Sequence, residues 1–229
     1  IMTICIIPAR GGSKRIKNKN IKIFNGKPMI YYAINLAKNS KLFSRIIVST
    51  DSLKIARLAK KYGAEVPFKR TKKLSNDYST STEVILDTVK KISSENIKYH
   101  CCIYPTAILT QSKDLIKGYK KIKNTQADYL IPITNYDYSP LRPLKKFKKH
   151  WIKFIYNKYK RKRSQDLPDL FHDTGTFYFY KTSSLLKNKG NLPIKTTFLM
   201  IDRIRTIDIN EPQDLKMAEF QYKLLKKPK

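Results

Sequence analysis

The chain has 229 residues, with 48 Lys plus Arg against 17 Asp plus Glu and a formal net charge of +31. That length suits one domain with a real core, and 41% hydrophobic and 11% aromatic residues exclude a disordered basic tail. No apolar run approaches the roughly 18 residues of a membrane-spanning helix, and three cysteines (Cys5, Cys101, Cys102) are too few and too badly spaced for a disulfide framework or a zinc site.

In chain order, short apolar runs alternate with amphipathic stretches, the signature of an α/β sheet protein. Thr3–Pro8 reads as a strand buried on both faces. Its apolar part ends in a proline and two glycines, unlike a signal peptide, so a cytoplasmic protein with reduced thiols is expected. Asn25–Gly26 marks a turn, and Pro28–Lys38 has helical spacing at Met29, Ile30, Ala33, Leu36 and Ala37. Arg45–Ser49 is the second strand. Asp51 or Ser52 can cap the next helix, with Ile55, Leu58 and Ala59 inward and Gly63 as its stop. Thr80-Ser81-Thr82-Glu83 is a capping box opening a helix with Val84, Ile85, Thr88, Val89 and Ile92 inward. His100–Tyr104 and Tyr129–Ile133 are further strands flanking a helix over about 112–123. Phe177–Tyr180 and Thr206–Ile209 are late strands, and a final helix runs from about Pro212 to Leu225.

One segment breaks this rhythm. Arg142–Arg163 holds 11 Lys and Arg, no acid, and the interleaved aromatics Phe147, Trp151, Phe154, Tyr156 and Tyr159. It reads as an inserted arm or hairpin, within an excursion over about 138–172 of a single domain. Such a segment, on so basic a chain, raises an RNA- or DNA-binding alternative. The cations argue against it, because 38 are lysines and 10 are arginines. Arginine is the residue that reads bases and clamps phosphates bidentately. The excess lysine reads as background composition, and neither a nucleic-acid nor a membrane partner is expected.

The most informative string is Pro8-Ala9-Arg10-Gly11-Gly12-Ser13-Lys14-Arg15, directly after the first strand. Paired glycines let the backbone approach a ligand and aim N–H groups at phosphate oxygens. Arg10, Lys14, Arg15 and Lys19 add cations at the same mouth, and Asn20 a side-chain amide. Loops after the first strand are where α/β sheets bind nucleotides. The string is neither a dehydrogenase fingerprint nor a Walker A loop. His100 reads as structural and His150 as solvated, and Cys101-Cys102 has no activating partner for a nucleophile.

That opening string, with Ile16, Lys19-Asn20 and Gly26-Lys27-Pro28, resembles the signature of the CMP-sialic acid synthetases, or acylneuraminate cytidylyltransferases. Val48-Ser49-Thr50-Asp51, Tyr62-Gly63-Ala64-Glu65-Val66-Pro67-Phe68 and Tyr104-Pro105-Thr106-Ala107 follow in order, so the resemblance covers essentially the whole chain. Ser164-Gln165-Asp166-Leu167-Pro168 and Phe171-His172-Asp173-Thr174-Gly175-Thr176-Phe177-Tyr178 look like the branch of that family acting on pseudaminic acid. N-acetylneuraminate, legionaminate and an eight-carbon ulosonate are the alternative acids.

The resemblance implies a Rossmann-like three-layer nucleotidyltransferase fold, with a mainly parallel mixed sheet and an arm that makes a homodimer. It implies transfer of CMP from CTP to the anomeric hydroxyl of a nine-carbon 2-keto sugar acid, for surface glycan or flagellin modification. Arg10, Lys19 and Asp208 would be catalytic. Ala9, Arg10, Gly11, Gly12, Ser13, Lys14, Asn20, Asp77 and Ser81 would hold CTP. Thr106, Arg142, Gln165, His172, Asp173 and Gly175 would hold the acid. Asp208 and Asn210 would hold Mg²⁺, with Asn210 standing where the family has a second aspartate. It keeps an oxygen but loses a charge, so weaker metal binding, a larger role for phosphate oxygens or help from Glu211 is expected. Glu211-Pro212 also fits a plain helix start.

Overall fold

Side-chain alternation along β1 (Met2–Pro8) sets the architecture. Ile4 and Ile6 pack in one apolar cluster, Cys5 and Ile7 in another, and all four are fully buried. A strand covered on both sides needs helices on both sides, which makes a three-layer molecule. The computed structural model describes residues 2–92, 96–189, 191 and 195–226.

After β1 come the short strands β2 (Ile23–Phe24) and β3 (Lys27–Pro28), joined through Asn25 and Gly26 at φ 42° and 81°. Two central residues with positive φ match the twist of a tight hairpin, which is why Asn-Gly occurs there. Then follow α1 (Met29–Ser40), β4 (Arg45–Ser49), α2 (Leu53–Lys61), α3 (Ser81–Lys91), β5 (Ile97–Ile103) and α4 (Ser112–Asn124). The second half holds β6 (Tyr129–Asn135), β7 (Leu144–Lys148), β8 (Trp151–Phe154), β9 (Phe171–Asp173), β10 (Phe177–Lys181), α5 (Thr182–Lys187), β11 (Thr196–Met200) and α6 (Pro212–Lys226). The main sheet has the order β11-β6-β10-β5-β1-β4, with β9 also pairing β6. β4, β1, β5, β6 and β11 run in one direction, and β9 and β10 run against them. The mainly parallel mixed sheet is the expected class.

The cores follow from that sheet. On one face, Phe177 and Phe179 of β10 join Ile30, Ala33 and Ile34 of α1 and Leu115 and Ile122 of α4. On the other, Tyr178 and Tyr180 join Ile85 and Val89 of α3 and Leu185 of α5. Cys101 and Cys102 lie in the two different clusters, and burial raises both thiols' pKa. His100 is also fully buried, 3.1 Å from Thr182 Oγ1 and stacked on Tyr180. Burial lowers its pKa to about 3, which keeps it neutral and makes it structural.

Local signals place the helix starts. Ser52 accepts from the Ile55 N–H at 3.4 Å, so it is Ser52 and not Asp51 that caps α2. Both halves of the Thr80–Glu83 capping box are formed at the head of α3.

Thr206–Ile209 is not a strand. Ile209 is fully buried in a third cluster with Ile16, Phe24, Leu215 and Ala218 beneath α6, so its apolarity reflects a peg into the core and not a place in the sheet. The strand paired parallel to β6 is β11, further upstream.

The chain leaves the sheet after Asn135 and returns at β9, which pairs antiparallel with the end of β6. Between them β7 and β8 form a separate two-stranded hairpin turning through Lys149 and His150. Leu144, Phe147, Trp151 and Ile152 on it are more than half exposed.

Candidate active site

The loop after β1 opens at the point where the sheet order reverses, since β4 lies on one side of β1 and β5 on the other. Open α/β sheets bind ligands outside the carboxyl ends of their strands at such a switch point. Here there is a cleft of about 560 Å³, lined from Pro8 at the end of β1, Tyr104 to Thr106 after β5, Ser81 on α3, and Gly175 before β10. Among the described residues, five cations line it: Arg10, Lys14, Arg15, Lys19 and Arg70.

The glycine loop is held from behind. The Gly11 N–H donates to Asp51 Oδ1 at 2.8 Å, and the Ser13 N–H donates to the Gly11 carbonyl at 3.1 Å. The Gly11 amide is thus committed within the protein and is not among those aimed at a ligand. Gly11 itself sits tight, since a Cβ there would lie 3.0 Å from the Ser52 Cβ. A Cβ on Gly12 would meet nothing within 4 Å. The Asn20 amide donates to the Arg10 carbonyl at 2.9 Å, so Asn20 braces the loop as well as lining the cleft. Ala9 is fully buried and its N–H donates to the Ser49 carbonyl, making it part of the core.

Two of the cations share one carboxylate, Asp77, and two more are held by neutral oxygens. Arg10 NH1 lies 2.9 Å from Asp77 Oδ1 and donates to the Asn76 carbonyl at 2.6 Å, and Lys14 pairs with Asp77 Oδ2. These bonds hold the Asp77 carboxyl below its usual pKa, with Lys14 the larger cause. Opposite, Lys19 donates to the Ile209 carbonyl, and Arg15 NH2 donates to Asn210 Oδ1 at 2.6 Å. Burial lowers the Lys19 pKa, against the upward pull of Asp208.

Asp208 and Asn210 share the cleft because Ile209 between them is pinned in the core. The Asn210 amide nitrogen donates to Asp208 Oδ2, while its oxygen faces Arg15. This donor set fits a magnesium ion held by one protein carboxylate and completed by nucleotide phosphates and water, the usual way Mg²⁺ is bound. A second anchor holds the segment in place. Arg205 reaches the buried Asp114 on α4 with two bonds, at 2.6 and 3.1 Å. Asp114 also accepts from the Gln111 N–H at the head of that helix.

The residues expected to hold the sugar acid divide among three places. Thr106 and Gly175 line the cleft. His172 and Asp173 line an adjoining cavity of about 480 Å³ that shares Asp208 with it. Both Asp173 oxygens are engaged, one by the Gly175 N–H at 2.8 Å and the other by the Tyr178 hydroxyl at 2.6 Å. Gly175 needs its φ of 64° to make that turn, where a side chain would be strained. His172 Nδ1 is 2.9 Å from the Asp173 carbonyl, and its ring packs on Tyr136. Arg142 lies apart, in a cavity at the base of the arm, donating to Ser164 Oγ at 2.6 Å. Gln165 is exposed on the 3-10 turn Ser164–Asp166 and is not brought to the cleft.

Sequence reasoning passed over Arg70, which is buried against Ser49 and faces the cleft. Burial pushes its pKa down to about 10, so the guanidinium remains charged near neutral pH. A single arginine in Phe68-Lys69-Arg70 looks like one more surface cation, and only its proximity to the Gly63–Phe68 string hinted otherwise.

A switch-point cleft lined by basic side chains, with the Asp208 carboxylate among them, is a nucleotide site of the nucleotidyltransferase kind. The chain belongs to the cytidylyltransferase family, which matches residues 4–212. It is 38% identical to the pseudaminic acid cytidylyltransferase of Campylobacter jejuni over 96% of both chains. It is 34% identical to the CMP-N,N'-diacetyllegionaminic acid synthase of the same species, over 95% of this chain and 93% of that one. In fold it is similar to a CMP:2-keto-3-deoxy-manno-octonic acid synthetase complexed with CTP, with a TM-score of 0.72 over 98% of this chain and 100% of that one at 15% identity.

Proposed function

We propose that this cytidylyltransferase acts on pseudaminic acid, transferring CMP from CTP to its anomeric hydroxyl with release of pyrophosphate. The observation that carries the reading is the joining of a five-cation cleft to a second polar cavity through Asp208. A triphosphate needs the first and a polyhydroxylated acid the second. The reaction separates charge onto pyrophosphate, so fixed cations and hydrogen bonds supply most of the catalysis. Arg10 and Lys14 exchange Asp77 for phosphate oxygens, and Lys19 stabilises charge on the transferring phosphoryl group. Ser81 borders the nucleotide from α3, and Arg70 from its seat against Ser49 at the end of β4. Asp208, with Asn210 beside it, would hold Mg²⁺, which neutralises phosphate charge when bound. The higher identity to the pseudaminic acid cytidylyltransferase of C. jejuni, 38% against 34% for its legionaminic acid synthase, supports pseudaminic acid over the legionaminate reading. Comparing kcat/KM for pseudaminic, legionaminic and N-acetylneuraminic acids tests the choice, and a larger value for either of the last two overturns it.

The protein acts as a homodimer in the cytoplasm, where CTP is supplied. Support for the dimer comes from β7–β8, because an isolated two-stranded hairpin is marginal in water and this one leaves Trp151 and Ile152 uncovered. Light scattering at micromolar concentration should give twice the chain mass, and a monomer would contradict it.

A further inference from the structure

We infer that Arg203, at the start of the 3-10 turn Arg203–Arg205, is the residue that binds the carboxylate of the sugar acid. The inference rests on the cytidylyltransferase reading above and adds a specificity residue to it. The cavity beside Asp208 carries three acids, Asp137, Asp173 and Asp208. An anionic substrate entering such a space meets like charge unless a cation receives it. Among the described residues lining this cavity, Arg203 is the one permanent cation.

Its setting suits that role. Arg203 NH1 lies 2.5 Å from Asp137 Oδ1, with both side chains more than half exposed. The guanidinium therefore already receives a carboxylate, and the weak worth of an exposed pair lets a ligand's carboxylate replace it. A planar fork takes a carboxylate bidentately, which fixes the acid's orientation as well as its place. The turn is anchored through Arg205, which makes two bonds to the buried Asp114. Arg142, the cation the sequence offered for this region, faces a different cavity and is held by Ser164 and the Lys162 carbonyl.

The test varies pseudaminic acid at saturating CTP and Mg²⁺. Arg203→Gln should raise the KM for the acid about ten- to hundredfold, the worth of one charge-assisted bond to a carboxylate. The KM for CTP and the rise in Tm on adding CTP should stay as in the unmodified protein. Arg203→Lys, which keeps the charge without the fork, should fall between. The C1 carboxamide of the acid should be a poor substrate for the unmodified protein, and Arg203→Gln should lose that preference. An unchanged KM for the acid in both variants, or an effect confined to Arg142→Gln, overturns the assignment while the parent reading stands. Absence of turnover by the unmodified protein with any nine-carbon acid overturns both.

Discussion

Replacing Lys19 with Met should lower kcat by about two to three orders of magnitude, the usual cost of deleting one donor aimed at developing charge. Lys19 is half-buried, and its ammonium is held on the Ile209 carbonyl beside Asp208, so it is already oriented before substrate arrives. Burial lowers its pKa, and that gives the prediction a sign in pH. The cation is the useful form, so activity should decline as the pH rises toward the lysine's pKa, sooner than an ordinary lysine would allow. Lys19→Arg keeps a guanidinium charged throughout that range, and should move the alkaline limb of kcat upward even if the peak rate falls. Steady-state rates from pH 6 to 10 on the three proteins check this. A Met variant with undiminished kcat would remove Lys19 from the chemistry.

The second large effect concerns Gly12. An alanine methyl there would touch nothing within 4 Å of the protein, and the residue does not use the positive φ that only glycine favours. Gly12→Ala should therefore fold with an unchanged Tm. If the loop cradles a triphosphate, the methyl intrudes on the ligand instead, and the KM for CTP should rise about tenfold or more, each tenfold step being about 1.4 kcal/mol of lost binding. Gly11→Ala would blur the result, because its methyl meets Ser52 and disturbs the bond to Asp51. Thermal melting and CTP titration of Gly12→Ala separate the two costs. A stable variant with ordinary CTP binding would show that the loop does not approach the nucleotide.

Local patterns in the sequence carried the fold well where periodicity and capping decide it. The buried run of β1, the Asn25–Gly26 turn, the capping box at Thr80 and the inward stripe of α1 each depend on residues close in the chain. The cations of the first loop were legible for the same reason. Long-range partnerships were not. Asp51 looked like a helix cap, and its role is to hold Gly11, 40 residues away. Arg70, Arg203 and Asp137 look like ordinary surface charges until the fold turns them toward a cavity. Thr206–Ile209 misled because a polar residue on either side of a buried isoleucine gives strand alternation without a strand. The short edge strands β9 and β11 carried too little pattern to stand out. Most of the lysines have no part in the cleft, so the net charge of +31 described the background and hid five cations that line it.

CMP transfer to a sugar acid changes the phosphorus NMR spectrum of a single reaction. The folded protein, incubated with CTP, Mg²⁺ and pseudaminic acid, should yield pyrophosphate and the CMP-linked acid in equal amounts. Unchanged CTP with pseudaminic acid and with every other nine-carbon 2-keto acid would contradict the account.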